Sequence, residues 1–193
     1  MNAPPDWLTR LRARNPESLR AVAEEHSGRL YRAARGMGLP AEQADDIVQE
    51  VFVTFLGSLD RFEGRSSPAT WLFGILLRKV QEQRRASAKD GLHDELDESW
   101  AANFDPSGTW ITPSVNPERA LAGREFADAV KTCLDDLSPP QREVLVLRQF
   151  QELPASGVGK ILDLTVTHVG VLLHRARLRM RQCLDALGWS TSR

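Results

Sequence analysis

The chain has 193 residues, which suits two helical units of modest core better than one small domain. Its hydrophobic share of 41% is that of a soluble globular protein, and no apolar run approaches the roughly 18 residues that a membrane span needs. The net charge of −1 hides alternating blocks: five acids without a Lys or Arg over 36–60, seven bases against two acids over 61–89, six acids without a base over 90–110, and eight bases against four acids over 141–193, a pattern that can offer separate surfaces to different partners.

Residues 1–15 carry charges and two prolines but no apolar signal core, so they are expected to form an N-terminal tail on a cytoplasmic chain. From Pro16 to Lys89 apolar residues recur at spacings of three and four, first as Leu19, Val22, Ala23 and then as Leu30, Tyr31, Ala34. Gly36-Met-Gly-Leu-Pro40 breaks the pattern. A second helix follows, with Ile47, Val51, Phe55 on one line and Val48, Phe52, Leu56 beside it. After the loop Asp60–Pro68, a third helix turns Trp71, Leu72, Ile75, Leu76 and Val80 inward and ends in the basic pair Arg84-Arg85.

Residues 90–117 lose periodicity and are rich in acids, Ser, Gly and Pro, which predicts a flexible acidic linker. Residues 118–193 read as a second helical unit. Phe126, Val130, Cys133, Leu134 and Leu137 form its first stripe, and Ser138-Pro-Pro-Gln141 has the layout of a capped helix start. A short segment, Pro154 to Leu162, leads to a turn at Asp163-Leu164, and Thr165 stands as N-cap of a long helix from Val166 to about Leu187. The expected fold is therefore all-α, two small domains with a helix-turn-helix in the second. Cys133 and Cys183, both on apolar stripes, are expected to be core thiols rather than a disulfide. His26, His93, His168 and His174 lack metal-ligand spacing, so neither a metal nor a cofactor is expected.

Two constellations bear on function. In the last helix Val169, Leu173, Ala176, Met180, Leu184 and Leu187 share one face, while Arg175, Arg177, Arg179 and Arg181 flank its edges within reach of phosphates. In the N-terminal unit Asp46, Gln49 and Glu50 lie at i, i+3, i+4, an acidic face suited to a basic protein partner. The following loop and helix combine bases with aromatics, Arg61, Phe62, Arg65, Trp71, Arg78, Lys79, Arg84 and Arg85, as a surface for unstacked nucleic acid does.

Asp46-Ile-Val-Gln-Glu-Val-Phe52, Leu59-Asp-Arg-Phe-Glu-Gly64, Trp71-Leu-Phe-Gly-Ile-Leu76 and Arg84-Arg85, in that order, resemble region two of the extracytoplasmic-function sigma factors of bacterial RNA polymerase. Leu137-Ser-Pro-Pro-Gln-Arg-Glu-Val-Leu-Val-Leu-Arg148, with Leu173-His-Arg-Ala-Arg177, resembles their region four. The resemblance covers residues 16–187 apart from the linker. It implies a sigma factor that brings RNA polymerase core to promoters, with no catalysis and no small-molecule substrate. Asp46, Gln49 and Glu50 would grip the β′ clamp coiled coil. Arg61, Phe62, Arg65, Ser66 and Ser67 would capture a flipped base of the −10 element, with Lys79, Arg84 and Arg85 on the adjoining backbone. Thr165, Thr167, His168, Val171, His174, Arg175 and Arg177 would read the −35 duplex, and the second domain would sit on the β flap. The resemblance further implies an anti-sigma partner, often one at the membrane, a stress or envelope-type regulon, and a free chain that is monomeric and not itself inserted in a membrane.

Several positions depart from the family's pattern. Gly170, Val171 and Leu172 replace a polar triplet of the reading helix, which shifts −35 readout towards groove shape and backbone. Asp163 stands where the turn has glycine, Gly157 and Gly159 weaken the first helix of the motif, and Arg78 and Glu82 replace an asparagine and an aspartate. The competing readings are a helix-turn-helix regulator that binds duplex DNA without core, and an adaptor that mimics a sigma factor.

Overall fold

The computed structural model describes residues 6–90 and 117–189, with side chains over 6–86 and 125–189. The expected linker falls almost wholly on 91–116, outside the described residues. Within them all regular structure is helical: α1 (Asp6–Arg12), α2 (Pro16–Gly36), α3 (Ala41–Ser58), α4 (Pro68–Asp90), α5 (Pro117–Asp135), α6 (Pro139–Leu145), α7 (Ala155–Leu162) and α8 (Val166–Ala186).

The N-terminal half is α1 to α4. Asn15 starts α2, its Oδ1 accepting from Ser18 N–H at 2.9 Å, with Pro16 in the first turn. The α2–α3 turn needs glycine at Gly38, where φ is +100°. Leu30, Ala33, Ala34, Ala44, Val51, Phe55, Leu72, Phe73, Leu76 and Val80 interlock as the centre of this half. On the line beside these in α3, Val48 is buried, whereas Leu56 stands 37% exposed. The expected N-terminal tail over 1–15 contains a helix that the sequence did not mark: α1 forms over Asp6–Arg12, because Leu8 and Leu11 at i, i+3 both find burial against the body.

In the C-terminal half α5, α6 and α8 pack together, with α7 across α8. Ser138 occupies the N-cap of α6 and Pro139 its first position, but the expected capping bond from the serine side chain is not made. After Leu145 the chain widens into a single π-turn, Val146–Phe150, closed by Gln151 N–H to Val146 C=O at 3.0 Å. The cysteines are corrected too. Cys133 on α5 and Cys183 on α8 form a disulfide, Cα atoms 5.6 Å apart, because the two apolar stripes that carry them face each other across the α5–α8 contact.

The halves are not held apart. Their buried residues join into one continuous cluster, with α7 lying on α4. Small residues permit the approach: a Cβ on Gly157 would stand 3.1 Å from Thr70 Oγ1, and one on Gly74 would stand 3.9 Å from Ile161. Polar clasps surround the contact. Arg142 of α6 donates to Gly36 C=O at 2.7 Å and pairs with Asp135 at 2.7 Å, while Arg84 of α4 bonds Met37 C=O and pairs with Glu143 at 3.2 Å. Arg29 donates to Gln151 C=O at 2.5 Å. Burial pushes the Glu143 carboxyl up despite Arg84, and it pushes the Arg142 guanidinium down despite Asp135.

Candidate nucleic-acid interface

The acidic face of α3 is fully formed. Asp46, Gln49 and Glu50 are all exposed and line a shallow depression with Val53, Thr54 and Lys79. Val53, 70% exposed, is an apolar centre that the polar pattern i, i+3, i+4 did not disclose; its signal was the next step of the same face, three residues past Glu50. Lys79 of α4 donates to Glu50 at 2.6 Å, so this base adjoins the acidic face.

The loop after α3 opens with a 3-10 turn, Leu59–Arg61, and runs to Ser67, whose Oγ accepts from Thr70 N–H and so starts α4. Arg61 and Ser67 are exposed, Ser66 is half-buried, and Arg65 is exposed and paired with Glu63. Phe62 lies within the structure, 7% exposed and stacked on Trp71 with ring centres 4.0 Å apart and planes at 9°. It shapes the loop from behind rather than offering a free face to a base. Ser66, Trp71, Gly74 and Arg78 wall a cavity of about 200 Å³, closed on its far side by Lys160 and Ile161 of α7. Lys160 also donates to Arg65 C=O at 2.9 Å. Arg85 is exposed and bonds Gln81 C=O of its own helix, whereas Arg84 is engaged in the clasp between the halves.

The turn between α7 and α8 places Asp163 in the left-handed region (φ 56°, ψ 48°), with Leu164 N–H on Gly159 C=O at 2.9 Å. Gly159 has a packing role here. A Cβ there would come within 2.6 Å of Leu164 O, a backbone atom with no freedom to yield. Thr165 caps α8, its Oγ1 accepting from His168 N–H at 3.2 Å. The helix divides cleanly: Val169, Leu172, Leu173, Ala176 and Met180 are buried, while Thr165, Thr167, His168, Val171, His174, Arg175 and Arg177 are exposed. Arg177 donates to Gln149 at 2.5 Å. Nothing lies within 4 Å of a Cβ on Gly170, so that stretch of α8 is a smooth, open surface. Leu178, 48% exposed, extends the solvent face beyond the residues marked by the sequence. The C-terminal half thus ends in a helix-turn-helix whose second helix has one buried and one exposed face, and the N-terminal half combines an acidic face with a basic loop.

Comparison with known proteins agrees with this geometry. Sigma-70 region 2 matches residues 22–89 and sigma-70 region 4 matches residues 127–180. A probable RNA polymerase sigma factor of Haemophilus influenzae is 32% identical over 153 residues, covering 75% of this chain and 78% of that one. The ECF RNA polymerase sigma-E factor of Escherichia coli (strain K12) is 27% identical over 139 residues, 72% of either chain. The sigma factor RpoE of Bartonella quintana, solved in complex with the anti-sigma factor NepR, shares the fold with a TM-score of 0.63 at 21% identity, covering 88% of this chain and 96% of that one. Among the described residues no single helix is long and apolar enough to cross a membrane. The chain belongs to the RNA polymerase sigma factors, in their extracytoplasmic-function group, and its role lies in transcription initiation.

Proposed function

We propose that this sigma factor divides promoter recognition between its halves. The α3 face of Asp46, Gln49, Glu50 and Val53 meets the β′ clamp of core polymerase. Loop 61–67, with Lys79, Arg84 and Arg85 beside it, receives the unpaired −10 strand. The exposed face of α8 enters the −35 major groove, with the C-terminal half resting on the β flap. The observation that carries this reading is the two-sided character of α8, whose buried stripe fixes it to α5 and α6 while Thr167, His168, Val171 and Arg175 face outward. Opening DNA costs a few kcal/mol per unstacked step, which base capture and backbone contacts can offset. The −35 contact is with intact duplex, where a helix serves. Arg175 and Arg177 supply phosphate contacts, and Val171 offers a surface for a thymine methyl. The chain works where polymerase and DNA are, in the cytoplasm, without catalysis of its own. It is held in check by an anti-sigma factor and serves a stress or envelope-type regulon.

The closed packing of the halves bears on this reading. A compact chain of this length is about 42 Å across. The −10 and −35 elements lie about 25 base pairs apart, roughly 85 Å of duplex at 3.4 Å per step. The packed form is too short to engage both, and α7 covers the Trp71–Arg78 face of α4. The halves must part, and residues 91–116, fully extended, reach at most about 90 Å. The test is promoter opening: purified chain is mixed with core polymerase and fork-junction DNA, and melted bases are probed chemically. Melting that requires both chain and core is expected. Tight duplex binding without core would favour a plain helix-turn-helix regulator, and core binding without melting a sigma-mimicking adaptor.

A further inference from the structure

The match to region 2 begins at residue 22, yet several of the firmest contacts of loop 61–67 come from upstream of it. The guanidinium of Arg12 donates twice to Phe62 C=O, from Nε at 3.0 Å and Nη2 at 2.6 Å. Trp7 places its ring 5.9 Å from that of Phe62, on which Trp71 stacks from within. Leu8, 1% exposed, fills the space beside Gly64, where a Cβ would come within 2.6 Å of Leu8 Cδ2 and where φ is +72°. Arg14 reaches Asp60 at 3.5 Å. A helix as short as α1 has little stability alone, so it exists because Leu8 and Leu11 are buried. In return it holds the loop at its aromatic anchor, at its glycine and at its entry.

We propose that α1 is a positioning element for the −10 loop, holding Arg61–Ser67 in the conformation that receives an unpaired base. The proposal rests on the sigma-factor reading above and adds a segment outside the family match to its machinery. A loop already ordered by α1 surrenders little conformational freedom when the strand arrives, so binding is tighter than to a loop that must be ordered by its ligand. Arg12, Trp7 and Leu8 act through the loop; neither Arg12 nor Trp7 needs to touch DNA.

The test uses holoenzyme reconstituted from full chain and core. The probe is fork-junction DNA whose single-stranded −10 strand has been selected by the wild-type holoenzyme from a randomised pool. Arg12→Ala is expected to weaken fork binding about tenfold while core affinity and thermal midpoint stay within about twofold and a few degrees. Arg12→Lys, which keeps one donor, should recover part of the loss. Trp7→Ala, at a site already 37% exposed, repeats the test without risk to the fold and should act in the same direction. Unchanged fork affinity in both variants overturns the proposal. So does tighter binding, which would make α1 a cover, and so do parallel losses of fork and core affinity, which would make it a mere structural prop. If wild-type holoenzyme selects no strand at all, it is the underlying sigma-factor reading that fails.

Discussion

His26 shows how one residue couples the core to pH. It is 3% exposed in α2, its Nδ1 lacks a hydrogen-bond partner, and its Nε2 is 3.8 Å from Glu25. Burial pushes its pKa below the ordinary 6.5, with Arg29 acting in the same direction and Glu25 opposing. Below pH 6.5 the unfolded chain therefore binds a proton that the folded chain refuses. Stability is complete above that pH and is lost as pH falls from 6.5 towards the lowered folded value. Urea midpoints measured between pH 7.5 and 5.5 should fall towards acid, and His26→Leu should flatten that slope; an equal slope in the variant would contradict the assignment. The sequence marked His26 only as a histidine without metal partners, because its burial depends on α1 and the start of α4 closing over α2. Gly159 was likewise visible only as a weak helix former. The reason glycine stands there is the carbonyl of Leu164, which a turn of left-handed Asp163 brings back against the helix.

At the scale of elements, the periodic stripes of α2, α3, α4, α5 and α8 were legible because burial on one helical face needs only local spacing. The Val169–Met180 stripe and the exposed Thr165–Arg177 set follow directly from it. Helix α1 was hidden because two leucines three apart, among charges and prolines, are too short a pattern without the groove that receives them. The disulfide was hidden for a related reason: each cysteine sat on a visible stripe, but which stripes face each other is a tertiary fact. Its consequence is measurable. The bond joins residues 50 apart, and the chain-entropy model assigns a loop of that length up to about 4 kcal/mol. Reductant should lower the thermal midpoint of the wild type and leave Cys183→Ala unmoved. A wild-type midpoint indifferent to reductant would show that the bond contributes nothing in solution.

At the scale of the whole molecule, the two units read from the sequence are joined into one body by contacts that no local pattern carries. Arg84 was marked for its charge and its place near the end of α4. In the closed form its guanidinium is occupied by Glu143 and Met37 C=O, partners 59 and 47 residues distant in sequence. Arg142 grips the α2–α3 turn in the same way. Breaking a buried ion pair on one side alone is costly, about 3–5 kcal/mol, but parting the halves returns both Arg84 and Glu143 to water and frees the arginine for phosphate. On the function proposed above, the closed body thus holds part of its promoter-facing surface inside itself, and core polymerase and DNA would supply the free energy that opens it.

That opening is measured most directly as a distance. Labels at exposed Glu24 in α2 of the N-terminal half and at exposed Asp185 in α8 report the separation of the halves without touching the surfaces assigned to DNA or core. In the free chain one short, narrow distance within about 42 Å is expected. In holoenzyme bound to a promoter the distance should lengthen by at least about 20 Å, as each half moves to its own element. A distance that stays the same in the promoter complex would contradict the division of labour on which this account of the protein stands.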